Sequence, residues 1–178
     1  MKKHKSTETW VETVECSEIP TLLRDAFDFL VAEFGFSPPV EDHVGSIVYK
    51  LSYRRKNIAI EPVVDRKDTA VEVAIVRLEN GVRPDTWKID SKGQLVMVRL
   101  YEACWHRKVP SPRASIPAGS PGREQLESLL AAEKETLRRY FDDVIHDSDT
   151  LFVELNDKRS EAKASEATKR IGPRGKLP

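Results

Sequence analysis

The sequence predicts an α+β fold, an antiparallel β-meander of three or four strands packed against an N-terminal helix and a long C-terminal helix. Three observations carry this. Apolar residues recur with period two between Ile47 and Ile75, helical spacing flanks that region on both sides, and short polar turns separate the alternating runs.

Residues 1–16 read as a polar lead-in whose Trp10, Val11 and Val14 can pack on the core. Ile19, Leu23, Ala26, Phe27, Leu30 and Phe34 then recur at helical spacing. With Ser17 as a cap, Pro20 in the first turn and Gly35 as the stop, they predict a helix over 18–34. Ser37, Pro38 and Pro39 end it, and Glu41, Asp42 and His43 read as a polar turn. Ile47, Tyr49, Leu51 and Tyr53 alternate with Lys50, Ser52 and Arg54, as in a half-buried strand. Arg55, Lys56 and Asn57 turn the chain, Ile58 and Ile60 continue the alternation to Val64, and residues 65–68 turn it again. Val71, Val73 and Ile75 make a third strand that ends at Asn80-Gly81.

Residues 84–106, from Leu95 to Trp105 above all, fit either a buried strand or a helix capped by Ser91, and helix is preferred. Pro110, Pro112, Pro117 and Pro121 make 108–122 a loop. Ser120-Pro121 starts a long helix with an apolar stripe of Leu126, Leu130, Leu137, Tyr140, Phe141, Val144 and Ile145. Glu127, Glu133, Lys134, Glu135, Arg138, Arg139, Asp142 and Asp143 are expected in solvent around it. Leu130, Leu137, Val144 and Leu151 are seven apart, a heptad that serves either the core or a homodimer seam through the last helix. Asp147-Ser148-Asp149 predicts a break, with a short final helix to Leu155. The domain thus spans 17–157, and 158–178 is a basic tail predicted to be disordered, since Ala, Ser, Lys and Glu bury too little to offset ordering.

The formal net charge is zero, but residues 158–178 carry seven Lys/Arg against Glu161 and Glu166, a net of +5. The rest is therefore mildly acidic, at −5, which does not suit a nucleic-acid surface. Cys16 and Cys104 have no CxxC spacing and read as reduced thiols. No apolar stretch follows the basic start, and nowhere do eighteen apolar residues run together, so the expected compartment is the cytoplasm, without a membrane partner.

Motifs for chemistry are sparse. His4, His43, His106 and His146 are not spaced as metal ligands, and His146 suits the end of a helix. Asp142, Asp143, Asp147 and Asp149 lack the glycine turn and bidentate Glu of a calcium loop. Asp68 and Glu72 start a nuclease-like pattern, but position 74 is Ala74 where a lysine is needed. Neither a Gly-rich phosphate loop nor a Gly-x-Ser-x-Gly turn occurs. The sequence therefore assigns no catalytic, cofactor-binding or metal-binding residue. Its apolar residues are expected to cover one another without leaving a polar pocket.

The runs Phe29-Leu30-Val31-Ala32-Glu33-Phe34-Gly35-Phe36 and Leu137-Arg138-Arg139-Tyr140-Phe141-Asp142-Asp143-Val144-Ile145 resemble small uncharacterised bacterial α+β proteins. Some of these sit beside toxins and are regarded as immunity proteins. The resemblance covers about two-thirds of the chain and implies a non-enzymatic domain that binds another bacterial protein. A basic toxin would complement the −5 body. The alternative is a nucleic-acid accessory role for the tail, through Lys163, Lys169, Arg170, Arg174 and Lys176. That tail has no aromatic side chain for stacking.

Overall fold

A computed structural model describes residues 14–44, 47–66, 70–85, 88–112, 122–146 and 149–170. Trp10, Val11, His4, Asp68, Asp147, Arg174, Lys176 and the Ser120-Pro121 cap lie outside them. The class is α+β, with five antiparallel strands in the order β1-β2-β3-β4-β5: Val40–Val44, Val48–Arg55, Ile58–Asp65, Ala70–Arg77 and Met97–Arg99. Alternation places Leu51, Tyr53, Ile60, Val64, Val73 and Ile75 on one face, which forms the floor of the main core.

The sheet has five strands where three or four were expected; the three expected from alternation are β2, β3 and β4, and β1 and β5 flank them. Glu41, Asp42 and His43 are not a turn but part of β1, opposite Leu51, Lys50 and Tyr49. An edge strand can be polar because only one of its sides pairs, and Val40 is 55% exposed. Residues 92–106 contain both alternatives in succession: β5 pairs with β4, and α3 (Leu100–Arg107) starts at the next residue. The Asn80-Gly81 turn has φ of 52° and 78°, the two left-handed residues that a tight hairpin needs, and it joins Glu79 to Val82.

The N-terminal helix is two, α1 (Ile19–Phe27) and α2 (Phe29–Phe34), separated at Asp28, whose Oδ1 accepts a hydrogen bond from the buried Tyr53 hydroxyl at 2.9 Å. Gly35 ends α2 at φ 68°, and the Phe36 N–H returns to the Leu30 carbonyl at 3.1 Å. The α1 helix packs on β2 and on α4 (Arg123–Tyr140), which also lies against β4. Phe141 breaks α4 from α5 (Asp142–His146), and α6 runs Asp149–Arg170.

Three further expectations change, and the alternative left open for the heptad falls to the core. Ser17 is not the cap of α1, whose N-cap is Glu18 without a side-chain bond. The final helix is long, 22 residues, and residues 158–170 continue it instead of starting a disordered tail; Ala, Glu, Lys and Arg are strong helix formers. Leu130, Leu137, Val144 and Leu151 are all buried in their own chain, so the heptad serves the core. Glu133 is not solvated. It is 5% exposed, on the same face as Leu126, Leu130 and Leu137, and its Oε2 has no hydrogen-bond partner among the described residues. Burial, with the Glu72 carboxylate adding to it, pushes its carboxyl up to about 8.

Candidate functional site

Because α3 starts directly from β5, its orientation is fixed by the sheet. The Arg99 N–H donates to Glu102 Oε2 at 3.2 Å in the first turn. Leu100, Ala103 and Cys104 enter the core, so Tyr101 and Trp105, one turn apart, fall on the other side. Trp105 is 84% exposed, the largest exposure among the large apolar side chains of the described residues.

Facing it, α6 buries Leu151 and Phe152 and then presents Leu155, Lys158, Arg159 and Ala162. Asn156 ties this helix to the 88–95 segment: its Oδ1 accepts from the Leu95 N–H at 2.7 Å and its Nδ2 donates to the Leu95 carbonyl at 3.4 Å. The result is a groove of about 1060 Å³ whose apolar surface is Ile89, Leu95, Val98, Tyr101, Trp105 and Leu155. Its charged lining is Lys88, Lys158 and Arg159 against Glu102 alone, a cationic rim on a body whose charge is otherwise acidic. Lys88 pairs with Glu102 at 2.7 Å. Burial by itself would raise the Glu102 carboxyl, but Lys88 and the Arg99 N–H hold it below the usual range. His106, at the same rim, is held below its ordinary value by burial and by Lys158, against the pull of Glu154 at 3.9 Å.

The residues weighed for chemistry are dispersed. Asp142 faces His146 at 3.8 Å, and Asp143 takes both Nη nitrogens of Arg107 at 2.8 Å each. Among the described residues no three His, Cys, Asp or Glu gather as metal ligands. Asp42 and Tyr49 line a crevice of about 10 Å³, less than a water molecule occupies. Cys16 and Cys104 are free thiols, and burial, with Glu133 nearby, pushes Cys104 up to about 11, which keeps it inert. Lys163 is exposed on α6, and positions 169 and 170 end that helix. No helix of the described residues is long and apolar enough to cross a membrane.

One expectation is overturned here. The sheet face away from the main core does contain a polar pocket, a notch of about 470 Å³ whose walls include Lys50, Glu61, Glu72, Arg83 and Arg99. Its neutral wall residues are aliphatic, and none of its lining is a histidine or a cysteine. A polar pocket removes the main ground for expecting no chemistry, although Glu72, the carboxylate of the nuclease-like pattern, pairs with Arg99 at 3.1 Å.

Sequence reasoning missed the groove because its two walls are fifty residues apart. The readable signal was local: Tyr101 and Trp105 place large aromatics on the side of α3 opposite Leu100, Ala103 and Cys104, and a helix apolar on both sides needs a second cover. Comparisons with protein-family models, with curated proteins and with solved structures return no match.

Proposed function

We propose that this chain is a protein-binding domain whose partner docks in the α3–α6 groove around Trp105. The observation that carries the reading is the exposure of that indole beside Ile89, Tyr101 and Leu155. Large exposed aromatics that border apolar hollows are the side chains around which binding energy concentrates. The cationic rim favours a partner with acidic side chains around its apolar anchor. An immunity-like role is one form of this function; a basic toxin would meet the acidic body elsewhere and not this rim.

Affinity capture from the native host with wild type and Trp105→Ala tests it. The expected result is one stoichiometric protein held by wild type and lost by the variant at unchanged melting temperature. Equal capture by both proteins refutes the reading.

A second reading, nucleic-acid association, is supported by one observation: Trp105, Lys108 and Lys158 line one hollow, so the cations have the stacking surface that the tail lacks. Salt-dependent retention of a labelled oligothymidylate, lost on Trp105→Ala, would favour it over a protein partner.

A further inference from the structure

The open face of the sheet holds a second charged cluster, which shares no lining residue with the groove. Ala74 on β4 lies between Glu61 on β3 and Arg99 on β5 in one cross-strand row. With strands about 4.8 Å apart, Glu61 and Arg99 stand about 10 Å from each other with only a methyl group between them. The gap above that methyl belongs to the 470 Å³ notch, a volume in the range of small-molecule sites.

Its walls include two carboxylate–guanidinium ion pairs, the one at Glu61 buried and hydrogen-bonded and the one at Glu72 partly exposed. Arg83 reaches over the sheet from the 78–96 segment and places Nε 3.1 Å from Glu61 Oε1, while Arg99 places Nε 3.1 Å from Glu72 Oε2. Glu61 is 1% exposed, and the Ser52 hydroxyl donates to the same Oε1 at 3.3 Å. Among the described residues the Arg83 guanidinium makes no other hydrogen bond than this one from Nε. Arg99 gives Nη1 to the Tyr101 hydroxyl at 3.3 Å. The Arg83 guanidinium, gripped at Nε, is held in one orientation with its Nη donors left to meet a planar or tetrahedral oxyanion, whereas Arg99 has Nη1 engaged by Tyr101. Glu61 and Glu72 are each offset by an arginine, and Lys50, held by Asp42 at 2.7 Å, and Asp65 complete the charged lining, three cations with three carboxylates.

The geometry points to a binding site for a small oxyanion, a carboxylate or phosphoryl group, seated over Ala74 and held between Arg83 and Arg99. Val63, Ala70 and Met97 supply an aliphatic lining for the rest of the molecule.

Calorimetric titration of the full chain with inorganic phosphate and, separately, with succinate tests this, in chloride-free buffer. Saturable one-to-one binding of either probe supports the site, and the probe that binds distinguishes phosphoryl from carboxylate. Arg99→Met should weaken that binding at least about tenfold, the loss expected for a charge-assisted hydrogen bond. Removing Arg83 would leave Glu61 buried and unpaired, so the second variant is Ala74→Leu, which fills the gap and keeps both arginines. It should abolish binding while the melting temperature and the far-ultraviolet spectrum stay as in wild type. Absence of saturable binding for both probes, or binding that survives Ala74→Leu and Arg99→Met, overturns the proposal. Neither result bears on the groove, which Trp105→Ala tests separately.

Discussion

Glu133 has leucine neighbours on its own helix face, and replacing it should reveal its cost. In the unfolded chain its carboxyl ionises near the ordinary value of 4.5, but in the fold, burial postpones ionisation to about 8. Between these values the unfolded chain has released a proton that the folded chain retains. Raising the pH therefore favours unfolding, by about 1.4 kcal/mol per pH unit, and the loss levels off at about 5 kcal/mol above pH 8. The contribution is fully present below 4.5 and fully lost above 8. Glu133→Gln and Glu133→Met remove the titration, and Met also removes the unsatisfied Oε2 from the core. Urea unfolding of the three proteins from pH 5 to pH 9 is the assay. Relative to either variant, wild type should lose about 4 kcal/mol across that range, and Met should be the most stable of the three at pH 9. Parallel pH profiles for wild type and Glu133→Gln would show that this carboxyl is neither buried nor shifted in the folded protein, and the reasoning would fail.

Two other substitutions test the framework of the groove and of the first helix pair. Asn156→Ala leaves the buried Leu95 N–H without its 2.7 Å acceptor, and should cost about 2 kcal/mol and sharply accelerate hydrogen exchange at that amide; unchanged protection would show that the helix is not tied there. Gly35→Ala has open space for its methyl group but keeps a φ of 68°, so backbone strain alone should lower unfolding stability by about 1 kcal/mol. A neutral result would mean that the helix stop is not left-handed.

The elements most legible in the sequence were those whose side chains contrast in polarity along their own length. Tyr49, Leu51 and Tyr53 against Lys50, Ser52 and Arg54 announce β2 without help from the rest of the chain, and the left-handed Gly35 ends its helix where expected. The β1 strand was not legible, because Glu41, Asp42 and His43 have the composition of a turn and become a strand only by pairing with Leu51, Lys50 and Tyr49. Glu133 was legible in position but not in consequence: its spacing from Leu126, Leu130 and Leu137 put it on the apolar stripe, and its charge suggested solvent. Of the two candidate sites, only the Tyr101 and Trp105 wall of the groove left a local signal, and neither site was readable as a whole. Arg83 and Glu61 are 22 residues apart, and Trp105 and Lys158 are more than fifty apart.

The sequence by itself determined the α+β class, the central hairpins and the use of the Leu130, Leu137, Val144 and Leu151 stripe as an apolar surface, because helix and strand periods are local properties of a chain. Only the tertiary structure decided that this stripe is buried in the core of its own chain, that α3 and α6 leave Trp105 uncovered between them, and that Glu61 and Arg99 flank a gap above Ala74. Those outcomes depend on which distant segments come together and on how much volume their side chains fill, and local periodicity encodes neither.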